Sequence, residues 1–231
     1  MTKLVSIFKS ASAASSISLA TSVTTAGPTS TLLMHFDGAN GSTTFTDAKG
    51  VSTFTIASGS PVISTAQQKF GTASFYPGAS GTSFIQTATN DALWTFAADY
   101  TIDFWIYPTS FAVQLNLVGN SVWAFYVSSA GNATFNDGAT SYLCGAVSLN
   151  TWSHIAVARA GSTGKAFANG TVGQTRTSTG TIGASGHLLV GSNGVYGASA
   201  SNLCYMDELR IINGTAVWTA GFTPPTSAYT N

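Results

Sequence analysis

Short apolar runs alternate along this chain with polar, glycine-rich breaks, and within the runs the side chains keep a period of two. The clearest run is Tyr100–Pro108, read Tyr-Thr-Ile-Asp-Phe-Trp-Ile-Tyr-Pro. On a pleated strand Ile102, Phe104 and Ile106 point one way, and Thr101, Asp103, Trp105 and Tyr107 the other. Aromatic and β-branched residues suit a half-buried central strand, and Pro108, which has no amide to donate, ends it. The same pattern predicts strands over Thr31–Phe36, Thr53–Ile56, Ser74–Tyr76, Ser83–Gln86, Asn116–Gly119, Val122–Ser128, Asn132–Asn136, Trp152–Arg159, Gly164–Ala168, Leu188–Gly191 and Cys204–Ile212. Asp37-Gly38, Asn40-Gly41, Asp137-Gly138, Asn169-Gly170, Asn193-Gly194 and Asn213-Gly214 punctuate them with tight-turn chemistry. No stretch sustains a helical period; only short turns are expected near Asn90–Trp94 and Ala216–Thr219. Short strands joined by glycine-rich turns specify an all-β sandwich of two sheets.

Composition sharpens this picture. A chain of 231 residues fits one large sandwich, and 44% hydrophobic residues can fill its core. Charged residues make up only 7%, against roughly 25% in ordinary soluble proteins. They balance to a net of +0, so nothing steers the chain toward nucleic acid or anionic lipid. Its surface is therefore built from Ser, Thr, Asn, Gln and Gly. Weakly charged surfaces associate, which points to a chain packed against others, a homo-oligomer included. No apolar run reaches the roughly 18 residues of a membrane span.

Residues 1–30 stand apart as an arm preceding a domain over residues 31–231. Eighteen of the thirty are Ser, Thr or Ala, no acid occurs before Asp37, and Gly27-Pro28 closes the segment. Lys9 interrupts the first apolar run, and the Ser/Thr/Ala stretch after it is too polar for a signal-peptide core, so the segment is expected to be retained. Alone it buries little. It is expected to dock on neighbouring subunits, the alternative being that it lies over its own domain. Cys144 and Cys204 are the only cysteines, too few for a zinc site or a disulfide framework; two free buried thiols are expected, with one disulfide as the alternative.

An ordered series of motifs carries a family resemblance. His35-Phe36-Asp37-Gly38 is followed by Lys69-Phe70-Gly71-Thr72-Ala73-Ser74-Phe75, then by Tyr100–Ile106, then by Thr151-Trp152-Ser153-His154-Ile155-Ala156-Val157-Ala158-Arg159. Phe167-Ala168-Asn169-Gly170 and Met206-Asp207-Glu208-Leu209-Arg210-Ile211 close it. Over residues 31–225 the chain resembles the laminin-G-like branch of the concanavalin A-like lectin/glucanase superfamily. The stretch Asn213–Pro225 is similar to versions of this domain in bacteriophage virion proteins. The resemblance implies a jelly roll of two curved antiparallel sheets. It also implies one structural calcium pinning the first strand to the last, with Asp37 and Asp207 as ligands. The alternative is that Asp207 caps a turn while Glu208 pairs with Arg210 or Arg159.

Catalysis is not expected. The superfamily's glucanases use paired glutamates, and Glu208 is the only glutamate here. Asp99 and Asp103 are four strand residues apart, roughly 13 Å, too far for the carboxyl pair of a glycosidase, at most about 9.5 Å. His35, His154 and His187 lack a nucleophile elbow or catalytic cysteine, and His154, opposite Ile155 and Val157, reads as structural. Flat rings stack on sugar faces. Trp105 and Trp152 sit in strand motifs and are assigned to the core, while Trp94, Trp123, Trp218 and Tyr196 remain as glycan-binding candidates, with the Gly191–Ser201 loop as one wall. Asn40, Asn132, Asn169 and Asn213 head glycosylation sequons, but three of them are also Asn-Gly turns, so glycosylation is not indicated. The sequence thus predicts a non-enzymatic bacteriophage virion subunit (decoration, fibre or tail-associated) that meets other subunits through its arm and host-surface glycans through its domain. The alternative is a secreted or surface calcium-dependent lectin module.

Overall fold

A computed structural model describes residues 29–78, 83–88, 92–183, 186–195 and 203–230. The arm therefore lies outside the described residues up to Pro28. Fifteen strands are present among them: β1 (Leu32–Met34), β2 (Phe54–Ser58), β3 (Val62–Ser64), β4 (Ser74–Tyr76), β5 (Phe84–Thr87), β6 (Tyr100–Pro108), β7 (Leu115–Gly119), β8 (Ala124–Val127), β9 (Asn132–Asn136), β10 (Ser141–Ala146), β11 (Ser153–Ala160), β12 (Thr163–Ala168), β13 (Thr171–Thr177), β14 (Leu189–Val190) and β15 (Cys204–Asn213). One 3-10 turn, Ala92–Trp94, falls where a short turn was expected. Every predicted strand forms. Three more were not predicted: β3, β10 and β13.

The strands make two antiparallel sheets. An eight-stranded sheet runs β13-β12-β11-β6-β15-β4-β3, with β1 also on β15; a seven-stranded sheet runs β10-β9-β8-β7-β14-β5-β2. The expected all-β jelly-roll sandwich is what the chain adopts. β6 is central, flanked by β11 and β15. Its inward residues Ile102, Phe104 and Ile106 enter the core between the sheets, where Phe104 meets Phe125 of β8 edge to face at 5.0 Å. Phe96, Trp123, Phe135 and Tyr142 continue that aromatic core.

β6 departs from expectation in one respect. A half-buried strand was predicted, yet every residue from Tyr100 to Ile106 is buried on both faces. The cover on the outer face is the strap that follows β15, residues 214–230, whose Trp218 and Phe222 pack on Ala156, Ala158 and Phe167. Both cysteines are free and buried, and burial raises both thiol pKa values well above their ordinary value.

Candidate functional site

The strap is held by a buried polar cluster on the outer face of the eight-stranded sheet. Asp103 of β6 is fully buried. One of its carboxylate oxygens accepts from Arg210 Nε at 2.9 Å, and the other lies 3.2 Å from His154 Nε2 and accepts from the Tyr229 hydroxyl. The pairing explains why these residues meet: Asp103 faces Arg210 across β6–β15 and neighbours His154 of β11 through Trp105. Arg210 also spreads its guanidinium 3.6 Å over the Tyr229 ring. Trp218 and Phe222 stack flat on each other at 4.0 Å, and both stand edge-on to His154. Burial is the main force raising the Tyr229 phenol pKa above its ordinary value. The cluster is a latch. Asp103 and His154 at its base have no exposed surface, and the half-buried rings of Trp218, Phe222 and Tyr229 lie over them.

Glu208 is engaged as well. One oxygen lies 2.7 Å from His35 Nδ1 and the other accepts the Tyr229 amide at 2.9 Å. The alternative pairing of Glu208 with Arg210 or Arg159 does not form: Arg210 serves Asp103, and the buried Arg159 donates to the carbonyls of Phe96, Ala98 and Gly180. The cause is a bulge. β15 shifts register between Asp207 and Arg210, and Glu208 sits at φ 53°, which turns its side chain toward His35 rather than along the sheet.

Asp37 and Asp207 grip the same loop. Asp207 accepts from the amides of Lys69, Phe70 and Glu208 at 2.8, 3.1 and 2.8 Å. Asp37 accepts from the amide and hydroxyl of Thr72 and the amide of Ala73. This donor set does not fit a calcium ion, which takes six to eight oxygen ligands. The loop turns N–H groups, not carbonyls, toward both carboxylates, and no group of three or more potential metal-ligating side chains occurs among the described residues. The two aspartates pin the loop themselves.

The glycan candidates separate. Trp94 and Trp123 are corrected outright: both are fully buried, and Trp123 Nε1 lies 3.4 Å from the Trp94 carbonyl inside the core. Tyr196 lies outside the described residues, as does the Gly191–Ser201 loop from that residue on. Trp218 is half-buried and walls a notch of about 210 Å³ with Ala158, Ala160, Thr163 and Lys165.

Sequence reasoning missed a second aromatic feature. At the end of the outer face away from the strap, four half-buried rings form a ribbon across neighbouring strands. Tyr76 of β4 stacks on Tyr205 of β15 at 4.6 Å, Tyr205 meets Tyr107 of β6 edge-on at 6.1 Å, and Tyr107 meets Trp152 at 5.5 Å. Tyr205 pairs directly with Tyr107, which puts both rings on one face. A usable signal was present: Tyr107 and Tyr205 stand on the polar sides of their strands, opposite Ile106 and Met206. Beyond the ribbon, Trp105 is buried beneath Lys69, whose ammonium lies 4.0 Å from its ring centroid.

Comparison with known proteins agrees with this architecture. Residues 79–218 match a laminin-G-type family described as the concanavalin A-like lectin/glucanases superfamily. No curated protein sequence matches the chain significantly. Among solved structures, the receptor-binding domain of botulinum neurotoxin type G is similar with a TM-score of 0.59 and 13% identity, over 82% of this chain and 48% of that one. The binding domain of Paraclostridial mosquitocidal protein 1 is similar at 0.61 and 15%, over 81% and 49%. Botulinum neurotoxin serotype D's ligand-binding domain, solved in complex with N-acetylneuraminic acid, is similar at 0.57 and 12%, over 84% and 48%. The chain spans about half the length of these structures, and at such identities the likeness is one of fold. Two packed sheets, the ordered strand motifs and a family match over more than half its length establish that the chain belongs to the concanavalin A-like lectin/glucanases superfamily, in its laminin-G-type branch.

Proposed function

We propose that this chain is a non-catalytic recognition subunit of a bacteriophage virion. In this reading it contacts host-surface glycans through the aromatic end of its outer face and neighbouring subunits through residues 1–30. The observation that carries the binding half is the half-buried ribbon of Tyr76, Tyr205, Tyr107 and Trp152, which no described residue of the strap covers, while Trp218 and Phe222 of the strap pack on Ala156, Ala158 and Phe167 of the same face. Tyrosine and tryptophan combine an apolar ring with a hydrogen-bonding tip, which suits a ligand that is part apolar and part hydroxyl. The neurotoxin D domain solved with N-acetylneuraminic acid is a related fold that holds a saccharide, and it favours this ligand class. The non-catalytic reading is supported by the engagement of Glu208 and Asp103 with His35, Tyr229, Arg210 and His154. The virion setting is supported by the charge-poor surface and by the stretch Asn213–Pro225, similar to phage versions of the domain. Family membership alone also accommodates the second reading, a secreted or surface lectin module.

Glycan-array binding, with bacterial surface polysaccharides included, tests the proposal. The wild-type protein is expected to bind a defined subset and release no reducing ends from it. Tyr107→Ala and Trp152→Ala should each weaken binding at least tenfold, with the folded far-ultraviolet spectrum unchanged. Unaltered binding in both variants would move the site off the ribbon, and turnover of a bound glycan would overturn the non-catalytic assignment.

A further inference from the structure

A β-sandwich of two open sheets has four edge strands, and an uncovered edge invites another strand. Three edges here are covered. β13 and β10 close against each other: Gln174 Oε1 accepts the Leu143 amide, and a Cβ at Gly173 would fall 2.2 Å from the Cys144 carbonyl oxygen. β3 is backed by the loop before it, Ile63 N donating to Ser42 O and Gly41 N to Ile63 O, both at 2.8 Å.

The fourth edge is different. β2 pairs with β5 on one side, and its other side is bridged only just ahead of the strand, where Thr46 meets Thr53. Residues 43–46 then part from β2 and leave a threonine-lined cleft of about 460 Å³ at its start. No described residue hydrogen-bonds to the outer edge of Phe54–Ser58. Thr55, Ile56 and Ala57 are exposed, Ile56 by 41%, and Val51 just upstream by 51%. Charge and proline protection are both missing: residues 50–68 contain no charged side chain and β2 itself has no proline, so the register shift between Ile56 and Ser58 is the one blunting feature on this edge.

We infer that the free edge of β2 is the docking site for the arm of a second copy of this chain, which adds Leu4–Phe8 as an extra strand. The inference rests on the assembly half of the function proposed above, and it names the acceptor surface. Leu4-Val5-Ser6-Ile7-Phe8 is uncharged, β-prone and as long as β2, the composition that strand addition uses. Pro28 lies twenty residues beyond Phe8. Fully extended, that length of chain reaches roughly 70 Å, well beyond the roughly 40 Å width of a domain this size. Copies approach freely, because the chain has eight basic and eight acidic residues and no net charge to hold them apart.

Three proteins decide it: the full chain, the chain lacking residues 1–29, and Ile56→Lys, which puts a charge on the edge at an already exposed position. Light scattering after size exclusion should give oligomers for the full chain and monomers for the other two. Hydrogen exchange at the amides of residues 55–57 should be at least tenfold slower in the full chain than in either variant. Equal exchange in all three would overturn the inference. A monomeric full chain with arm-dependent protection would also overturn it, since the arm would then be closing its own edge. Oligomers unaffected by Ile56→Lys would place the interface elsewhere. Because the oligomers form from purified protein, their presence stands apart from glycan binding and from incorporation into any particle.

Discussion

Asp207 at the bulge of β15, and His35, which meets Glu208 there, set a pH dependence. Burial pushes the Asp207 carboxyl up to about 7, outweighing the Phe70 and Lys69 amides that favour its charged form. Between about pH 4 and 7 the folded chain therefore holds a proton that the unfolded chain has released, and stability falls as pH rises. The hydrogen bond to Glu208 raises the His35 pKa above its ordinary value, so its contribution is complete below about pH 6.5 and lost as pH rises through the raised value. Both effects have the same sign. The melting temperature, followed by circular dichroism, is expected to fall from pH 5 to pH 8. Asp207→Asn should flatten the lower part of that curve and His35→Gln the upper part. A melting temperature that climbs over the range would contradict both assignments. Little of this could be read from sequence. Asp207 was recognised as a residue that holds the structure, but the bulge that turns Glu208 toward His35 depends on register, and register is not written in the residues of one strand.

At the scale of elements, the strand pattern was legible and the strap was not. Alternation placed β6, β11 and β15 closely, because their inward residues are large and apolar while the outward ones are mostly polar or small. β13 escaped because no residue of Thr171–Thr177 is buried, so it has no apolar face to betray it. β10 escaped because only Tyr142 and Cys144 of its six residues are buried, an apolar face too short to stand out. The strap, residues 214–230, has no period at all; its value lies in Trp218, Phe222 and Tyr229 landing on the outer face. Tyr229→Phe removes one hydrogen bond to a buried carboxylate and should cost roughly 1.5–3 kcal/mol in urea denaturation. Deleting residues 215–231 should do far more, because it uncovers Phe167, His154 and Ala156 together. The deletion is expected to bind a hydrophobic dye strongly and to lose its cooperative thermal transition. A truncated chain that melts like the full one would show the strap to be dispensable. The same distinction explains the glycan candidates: Trp94 and Trp123 read as free rings only because their partners lie far away in sequence, and the Tyr107–Tyr205 pair was hidden for the same reason.

For the molecule as a whole, the all-β sandwich was legible from turn chemistry and period, whereas the order of strands was not, since it is fixed by contacts between distant segments. That order carries a consequence for synthesis. β15, the last strand in sequence among the described residues, lies at the middle of the eight-stranded sheet, with β6 on one side and β1 and β4 on the other. Until residue 213 has left the ribosome, β1 and β4 have no neighbour to join them to β6, and Asp103 has no arginine. The eight-stranded sheet therefore closes only after β15 has emerged, as expected of a topology dominated by distant pairings. Nascent chains stalled before Cys204 should remain protease-sensitive, and protection should appear in one step once Asn213 and the strap emerge. Gradual protection as each hairpin appears would mean that the halves fold independently. Before β15 emerges the seven-stranded sheet and the run β6, β11, β12 and β13 already have their partners, so the segments that wait longest are β1 and the β3–β4 pair near the start of the domain, held apart from their sheet by a strand not yet made.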